Sequence, residues 1–252
     1  MAIDDGQFAE LIAERTAAIP GVLAVTLGGS RAQGGHRPDS DWDFGLYYRR
    51  RLDPDDVRAL GWPGTVFAPG EWGGGVMNGG AWLTIDGRRV DLIYRDLDEV
   101  EHHVAEAEQG RFEVEQLPFY LAGIPTYVVV GELAIARVLV GALPRPGFPT
   151  VLRERAARYW SAAARLSLGY AEDVYAARGD ALGCAGTLAR AVVEAAHGRL
   201  AARGEWALNE KHVVARAGLD GLIPLFARLG STPEALRGAV EEVRAALVER
   251  YG

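Results

Sequence analysis

A single cysteine, Cys184, stands among 252 residues. No intramolecular disulfide can form, and a cysteine-based zinc site is excluded. No apolar run approaches the roughly 20 residues that a membrane-spanning helix requires. The opening stretch, MAIDDGQFAEL, carries acids where a secretory signal carries basic residues. The expectation is a soluble, cytoplasmic protein in a reducing compartment. Positive charge is also scarce, with 27 Lys and Arg against 34 Asp and Glu and a net charge of -7. Proteins that hold nucleic acid stably usually present a basic face that displaces condensed counterions. Neither a stable nucleic-acid partner nor a membrane is therefore expected, and the balance suits a neutral or cationic small molecule. His36, His102 and His103 have no metal-ligand spacing with one another or with the cysteine.

What is present reads as an ordinary globular chain, 49% hydrophobic and 24% charged, long enough for one large domain or two modest ones. Phe8, Leu11, Ile12 and Ala18 have helical spacing over 6–18, ended by Pro20-Gly21. Residues 22–27 are apolar and rich in β-branched side chains, and they stop at Gly28-Gly29, which predicts a buried strand. Strict alternation over 41–48 puts Asp41, Asp43, Gly45 and Tyr47 on one face and Trp42, Phe44, Leu46 and Tyr48 on the other. A short helix is expected over 54–60. The stretch AWLTIDGRRVDLIYRD reads as two strands joined by a tight turn at Asp86-Gly87. Asp96 and Glu99 resemble a capping box opening a helix to about residue 109, and a further helix is expected over 127–140.

The closely spaced prolines of LPRPGFPT, 143–150, disfavour helix and sheet alike and mark a linker. Beyond it the composition turns to Ala, Arg, Leu and Glu at helical spacing over 151–178, 181–203, a shorter piece from Asn209, another at 222–229, and 233–249. The fold class expected is α+β: a catalytic domain over 1–145, with a mixed sheet flanked by helices, then a helix bundle over 150–252.

The chemistry concentrates in GGSRAQGGHRPDSDWDFGLYY, 28–48. Small residues after a strand let backbone N–H groups approach an anion, and the Ser30 hydroxyl can join them. Asp41 and Asp43 share a strand face. Two carboxylates about 4 Å apart repel by about 4 kcal/mol at an effective dielectric near 20, so such a pair wants a cation between them. Magnesium suits it, taking a few carboxylate oxygens and completing its shell with water and phosphate. Asp91, flanked by Val90, Leu92 and Ile93, is an acid in a core-like strand and needs a partner. Beside the Asp41–Asp43 strand it would complete three acids around one or two ions, an arrangement suited to in-line displacement at phosphorus.

A GS pair, then D-x-D on a strand, then a third Asp in a later apolar strand resembles the DNA polymerase β nucleotidyltransferase superfamily, here as GGS, SDWDFGLYY and RRVDLIYRD. In architecture the chain is similar to the kanamycin, streptomycin and lincosamide nucleotidyltransferases. The resemblance implies that Gly29 and Ser30 grip the nucleotide's phosphates, that Asp41, Asp43 and Asp91 bind Mg2+, and that Arg31 touches phosphate. In EWALNEK it implies that Lys211 reaches the triphosphate; a solvated helix lysine is the alternative. The catalytic base is either Asp91 or Glu132 in YVVVGELAIARVL, unless Glu132 is a buried acid paired with Arg137 or the sheet.

The glycine-rich stretch over 69–80, with Trp72 and Trp82 nearby, reads as a loop over the site or a long connection. YAEDVY, 170–175, offers an acidic, aromatic patch suited to an amino sugar, or a solvated helix face. The expected activity is transfer of a nucleoside monophosphate, with ATP as the expected donor, to a hydroxyl of a small molecule, cationic or neutral, such as an aminoglycoside-like antibiotic, releasing pyrophosphate. Transfer to a protein or tRNA, and a non-catalytic nucleotide-binding module, are the alternatives. The oligomer expected is a monomer or homodimer.

Overall fold

The computed structural model describes residues 3–248. In chain order its elements are α1 (Asp5–Ala17), β1 (Val22–Leu27), α2 (Gly29–Ala32), β2 (Trp42–Tyr48), α3 (Pro54–Arg58), β3 (Gly64–Val66), β4 (Gly80–Ile85), β5 (Arg88–Asp96) and α4 (Leu97–Glu108). There follow β6 (Val114–Glu115), β7 (Ile124–Pro125), α5 (Val128–Ile135), β8 (Arg137–Val140), α6 (Thr150–Tyr170), α7 (Ala181–Arg203), α8 (Val213–Arg216) and α9 (Pro233–Val248). The class is α+β, a mixed sheet with helices followed by long helices.

Contacts divide the chain into two compact units, the first comprising Met1–Glu106 and Val129–Gly147, the second Ala107–Val128 and Phe148–Gly252. In the first unit the described residues form a six-stranded sheet ordered β3-β4-β5-β2-β1-β8. Only β2 and β5 run parallel in it; the other neighbours are antiparallel. The alternation read in 41–48 determines how this sheet packs. Trp42, Phe44 and Leu46 join Val90 and Leu92 of β5, and Leu83 of β4, against Phe8 and Ile12 of α1. Each such fully buried side chain contributes about 1.5–3 kcal/mol. The capping box formed by Asp4 and Gln7 starts α1, with Gln7 N–H donating to Asp4 Oδ1 at 2.8 Å.

One end of the opposite face is covered by helices of the same unit. There Ala24 and Tyr47 pack beneath Leu97 and Val100 of α4 and Leu133 of α5. Tyr47, expected on the acidic face, is 1% exposed for this reason. The other end of that face carries Asp43, Asp91 and the half-exposed Trp82.

Three short features differ from the sequence expectation. The helix expected over 127–140 stops at Ile135, and Arg137–Val140 becomes β8, pairing Val25 with Val140 and Thr26 with Val138. The β-branched run RVLV satisfies the edge of β1, a tertiary gain that local periodicity does not reveal. Strand β3 and the β6–β7 hairpin are too brief to show an alternating pattern.

In the second unit α6 and α7 bury aligned stripes, among them Leu152, Ala156, Trp160, Ala164 and Leu168 from α6 and Leu188, Ala191, Ala195 and Ala196 from α7. The helix expected over 151–178 is α-helical to Tyr170, widens into a π turn at Ala171–Tyr175, tightens to a 3-10 turn at Ala176–Arg178, and ends at Gly179 with φ of 71°. Asp180 caps α7 by accepting from Gly183 N–H at 2.9 Å. The last helix was expected to reach Glu249, which lies outside the described residues. Among the described residues no helix is long and apolar enough to cross a membrane.

Candidate active site

The site begins where β1 ends. Gly28 N–H donates to the Asp43 carbonyl at 2.7 Å, tying the glycine turn to β2. Gly29 follows with φ of +58°, and a Cβ there would lie 1.9 Å from Asp43 Oδ2. Any side chain at Gly29 would both strain the backbone and displace the Asp43 carboxylate. Ser30 lies one residue on, partly buried, in the short α2. The N–H groups of Gly29 and Ser30 sit in the first turn of that helix, where no intrahelical acceptor exists.

Asp43 and Asp91 are register partners across the parallel β2–β5 pair. Neighbouring strands lie about 4.8 Å apart and partnered side chains share a face, so the two acids occupy adjacent positions on it. Both are half-buried.

Asp41 immediately precedes β2, and its Oδ1 accepts from Arg89 Nε at 2.5 Å. Arg89 precedes Asp91 by two residues on β5 and so lies on the same face; sequence reasoning missed it, because the pairing depends on inter-strand register. Among the described residues no group of three or more His, Cys, Asp or Glu side chains is gathered to hold a metal ion. Asp43 and Asp91 nonetheless offer two hard oxygen donors beside a bare glycine, a set that fits a magnesium ion completed by water and phosphate.

Arg31, expected at phosphate, has another occupation. Its Nη2 donates to Ser40 O at 2.9 Å, its Nη1 to Asp5 Oδ2 at 3.1 Å, and its Nε to Ser40 O and Asp41 O, each at 3.3 Å. The guanidinium also stacks 4.0 Å above the Trp42 ring. With each nitrogen donating inside the protein, this cation holds the loop that presents Asp41.

Glu132 is held by an arginine that sequence reading did not single out. Arg95 Nε donates to Glu132 Oε2 at 2.6 Å and Arg95 Nη2 to Oε1 at 2.7 Å, a bidentate fork with the Arg95 side chain 4% exposed. Burial alone would lower the Arg95 guanidinium, but the charge and hydrogen bonds of Glu132 hold it above its ordinary value. Beside them, burial and then the Glu132 charge raise the Tyr47 hydroxyl far above its usual range. Arg95 is four residues along β5 from Asp91, about 13 Å at strand rise. Both oxygens of Glu132 are taken, which leaves it a poor acceptor for a substrate proton. Strand period offered a signal here, since residues 91, 93 and 95 share one face.

Lys211 belongs to the second unit and is exposed. Its backbone N–H donates to Asn209 Oδ1 at 2.8 Å, and the adjacent Glu210 accepts from the N–H groups of Leu121 and Ala122, each at 2.7 Å. Much of EWALNEK is thus explained by loop construction within that unit.

The stretch over 69–80 is fastened to the sheet. Phe67 N–H donates to Gly80 O at 2.9 Å, Tyr94 N–H to Gly79 O at 3.0 Å, and Asn78 Nδ2 to the Tyr48 hydroxyl at 3.3 Å. It brings Trp72 against Trp82, with ring centroids 5.7 Å apart.

No family model and no curated protein matches the chain. Among solved structures it is similar to a nucleotidyltransferase-like protein from Exiguobacterium sibiricum 255-15, with a TM-score of 0.44 and 12% identity over 96% of this chain and 73% of that one.

Proposed function

We propose that the open end of this sheet face transfers a nucleoside monophosphate from a nucleoside triphosphate, ATP by expectation, to a hydroxyl of a small molecule, releasing pyrophosphate. One observation carries the reading: Asp43 and Asp91 are parallel register partners, and the Asp43 carboxylate rests on a glycine that admits no side chain. Ser30 and the first-turn N–H groups hold the departing phosphates. Asp91 accepts the proton of the attacking hydroxyl, since Glu132 is committed to Arg95. Magnesium, when bound by Asp43 and Asp91, supplies neutralisation of phosphate charge. Asp41 joins that set on release from Arg89.

A pyrophosphate-release screen with ATP, GTP, CTP and UTP, magnesium, and aminoglycoside and lincosamide acceptors tests the proposal. Metal-dependent release with at least one pair is expected; release that needs no divalent ion would sink it. The Arg89–Asp41 pair, 2.5 Å between Nε and Oδ1, favours a second reading, in which a fixed cation already compensates one acid and the unit binds nucleotide without catalysis. Tight MgATP binding with no pyrophosphate release for small-molecule, protein and tRNA acceptors alike would support that reading.

A further inference from the structure

Across the open face, three residues stand in one row. Asp43 partners Asp91, and Asp91 partners Trp82 on its other side. The glycine turn that follows β1 adjoins Asp43, so the order along the row is Gly29, Asp43, Asp91, Trp82. In-line displacement requires the attacking oxygen and the leaving oxygen on opposite sides of phosphorus. With the leaving pyrophosphate on the Gly29 side, attack comes from the Trp82 side. At about 4.8 Å between strands, the Trp82 backbone is one strand beyond Asp91, within reach of a molecule whose hydroxyl meets that carboxylate.

Trp82 is built for contact. The residue is 55% exposed, yet its ring packs against two other aromatic rings. Trp72 stacks on it with planes 25° apart, and Phe67 meets it edge-on at 4.7 Å between centroids. Trp72 fits there because position 80 is glycine: a Cβ would lie 2.6 Å from Trp72 Cη2. The Trp72 Nε1 is buried with no hydrogen-bond partner, at a cost of about 1–3 kcal/mol. A fixed, exposed indole offers a flat apolar surface at small entropic cost to the ligand site.

We infer that Trp82 is an acceptor-positioning residue, and that the acceptor carries its reacting hydroxyl on a ring whose flat face lies on the indole. The inference rests on the proposed nucleotidyl transfer, which fixes the side of attack. It selects ring-borne hydroxyls over open-chain polyols.

Saturation-transfer NMR on the full chain, without nucleotide, tests it with phenyl β-glucoside, kanamycin and lincomycin as ring probes and sorbitol as the open-chain control. Binding of at least one ring probe is expected, weakened at least tenfold in Trp82→Ala, largely restored in Trp82→Phe, and absent for sorbitol. In turnover, Trp82→Ala should raise KM for the acceptor far more than it lowers kcat. No ring binding, or binding equal in wild type and Trp82→Ala, overturns the inference. MgATP calorimetry on the same samples separates the two readings. Trp82→Ala should leave nucleotide affinity unchanged, whereas a wild type that binds no MgATP defeats nucleotidyl transfer itself.

Discussion

The two ends of one sheet face treat carboxylates in opposite ways. At the covered end, Glu132 of α5 and Arg95 of β5 close a bidentate fork, and the charge is answered inside the protein. At the open end, Asp43 and Asp91 stand side by side on neighbouring strands. The Arg95–Glu132 fork is architecture, because removing Glu132 strands the buried charge of Arg95. Two acids on partnered positions beside a bare glycine are instead the pair on which the proposed metal and phosphate chemistry rests. The helical unit adds a third solution, an ionisable group kept neutral. His197 stacks on Trp160 at 4.7 Å, both its ring nitrogens are buried without a hydrogen-bond partner, and burial, with the Arg216 charge, lowers its pKa to about 4.

The strongest attempt to break this contrast is Asp43→Asn or Asp91→Asn. Either should lower pyrophosphate release by about a thousandfold, a loss of about 4 kcal/mol of transition-state stabilisation. Near-normal turnover would move the chemistry elsewhere.

Glu132→Gln should act on stability instead. It leaves Arg95 buried without its counter-charge, at a cost of about 3–5 kcal/mol in urea unfolding, with kcat per folded molecule little changed. The double change Arg95→Met with Glu132→Leu should recover most of that loss. A fully folded Glu132→Gln protein with activity reduced hundreds-fold would return Glu132 to the chemistry.

His197 predicts a pH effect of known sign. Its folded pKa near 4 lies below the ordinary value of 6.5, so the unfolded chain takes up the proton first. The contribution to stability is present above pH 6.5 and is lost as pH falls toward 4, by roughly 3 kcal/mol in all. His197→Phe keeps the stack and should flatten that part of the unfolding free energy against pH. Identical slopes for variant and wild type would mean the ring titrates normally.

Arg89→Ala should have the smallest effect on stability. The pair is exposed, 69% for Arg89 and 41% for Asp41, so the change should stay below about 1 kcal/mol. Freeing Asp41 should tighten magnesium binding several-fold in a calorimetric titration. Unchanged metal affinity would separate Asp41 from the metal set.

Legibility followed the range of the interaction. The apolar and acidic faces of β2 are a local property of alternation, so Trp42, Phe44, Asp43 and the strand itself could be read directly. The two-residue turn at Asp86-Gly87 pairs Ile85 with Arg88, and the same register carries Trp82 opposite Asp91. That juxtaposition was latent in a correctly expected hairpin. The parallel register that sets Asp43 beside Asp91 is joined through no tight turn, and no local pattern fixes it. Arg89 on Asp41 and Arg95 on Glu132 depend on that same register or on helix placement, which is why the sequence left Glu132 open between a candidate base and an acid paired with Arg137 or the sheet. Strand β8 was hidden because RVLV suits a helix end as well as an edge strand until β1 lies beside it.

The central claim is that Asp43 and Asp91 together create a cation site for a nucleotide, and calorimetric titration of ATP with magnesium and with EDTA tests it most directly. Wild type should bind at least tenfold more tightly with magnesium, a difference of about 1.4 kcal/mol, and Asp91→Asn should erase that difference while remaining folded. An undiminished magnesium dependence in Asp91→Asn would contradict the account.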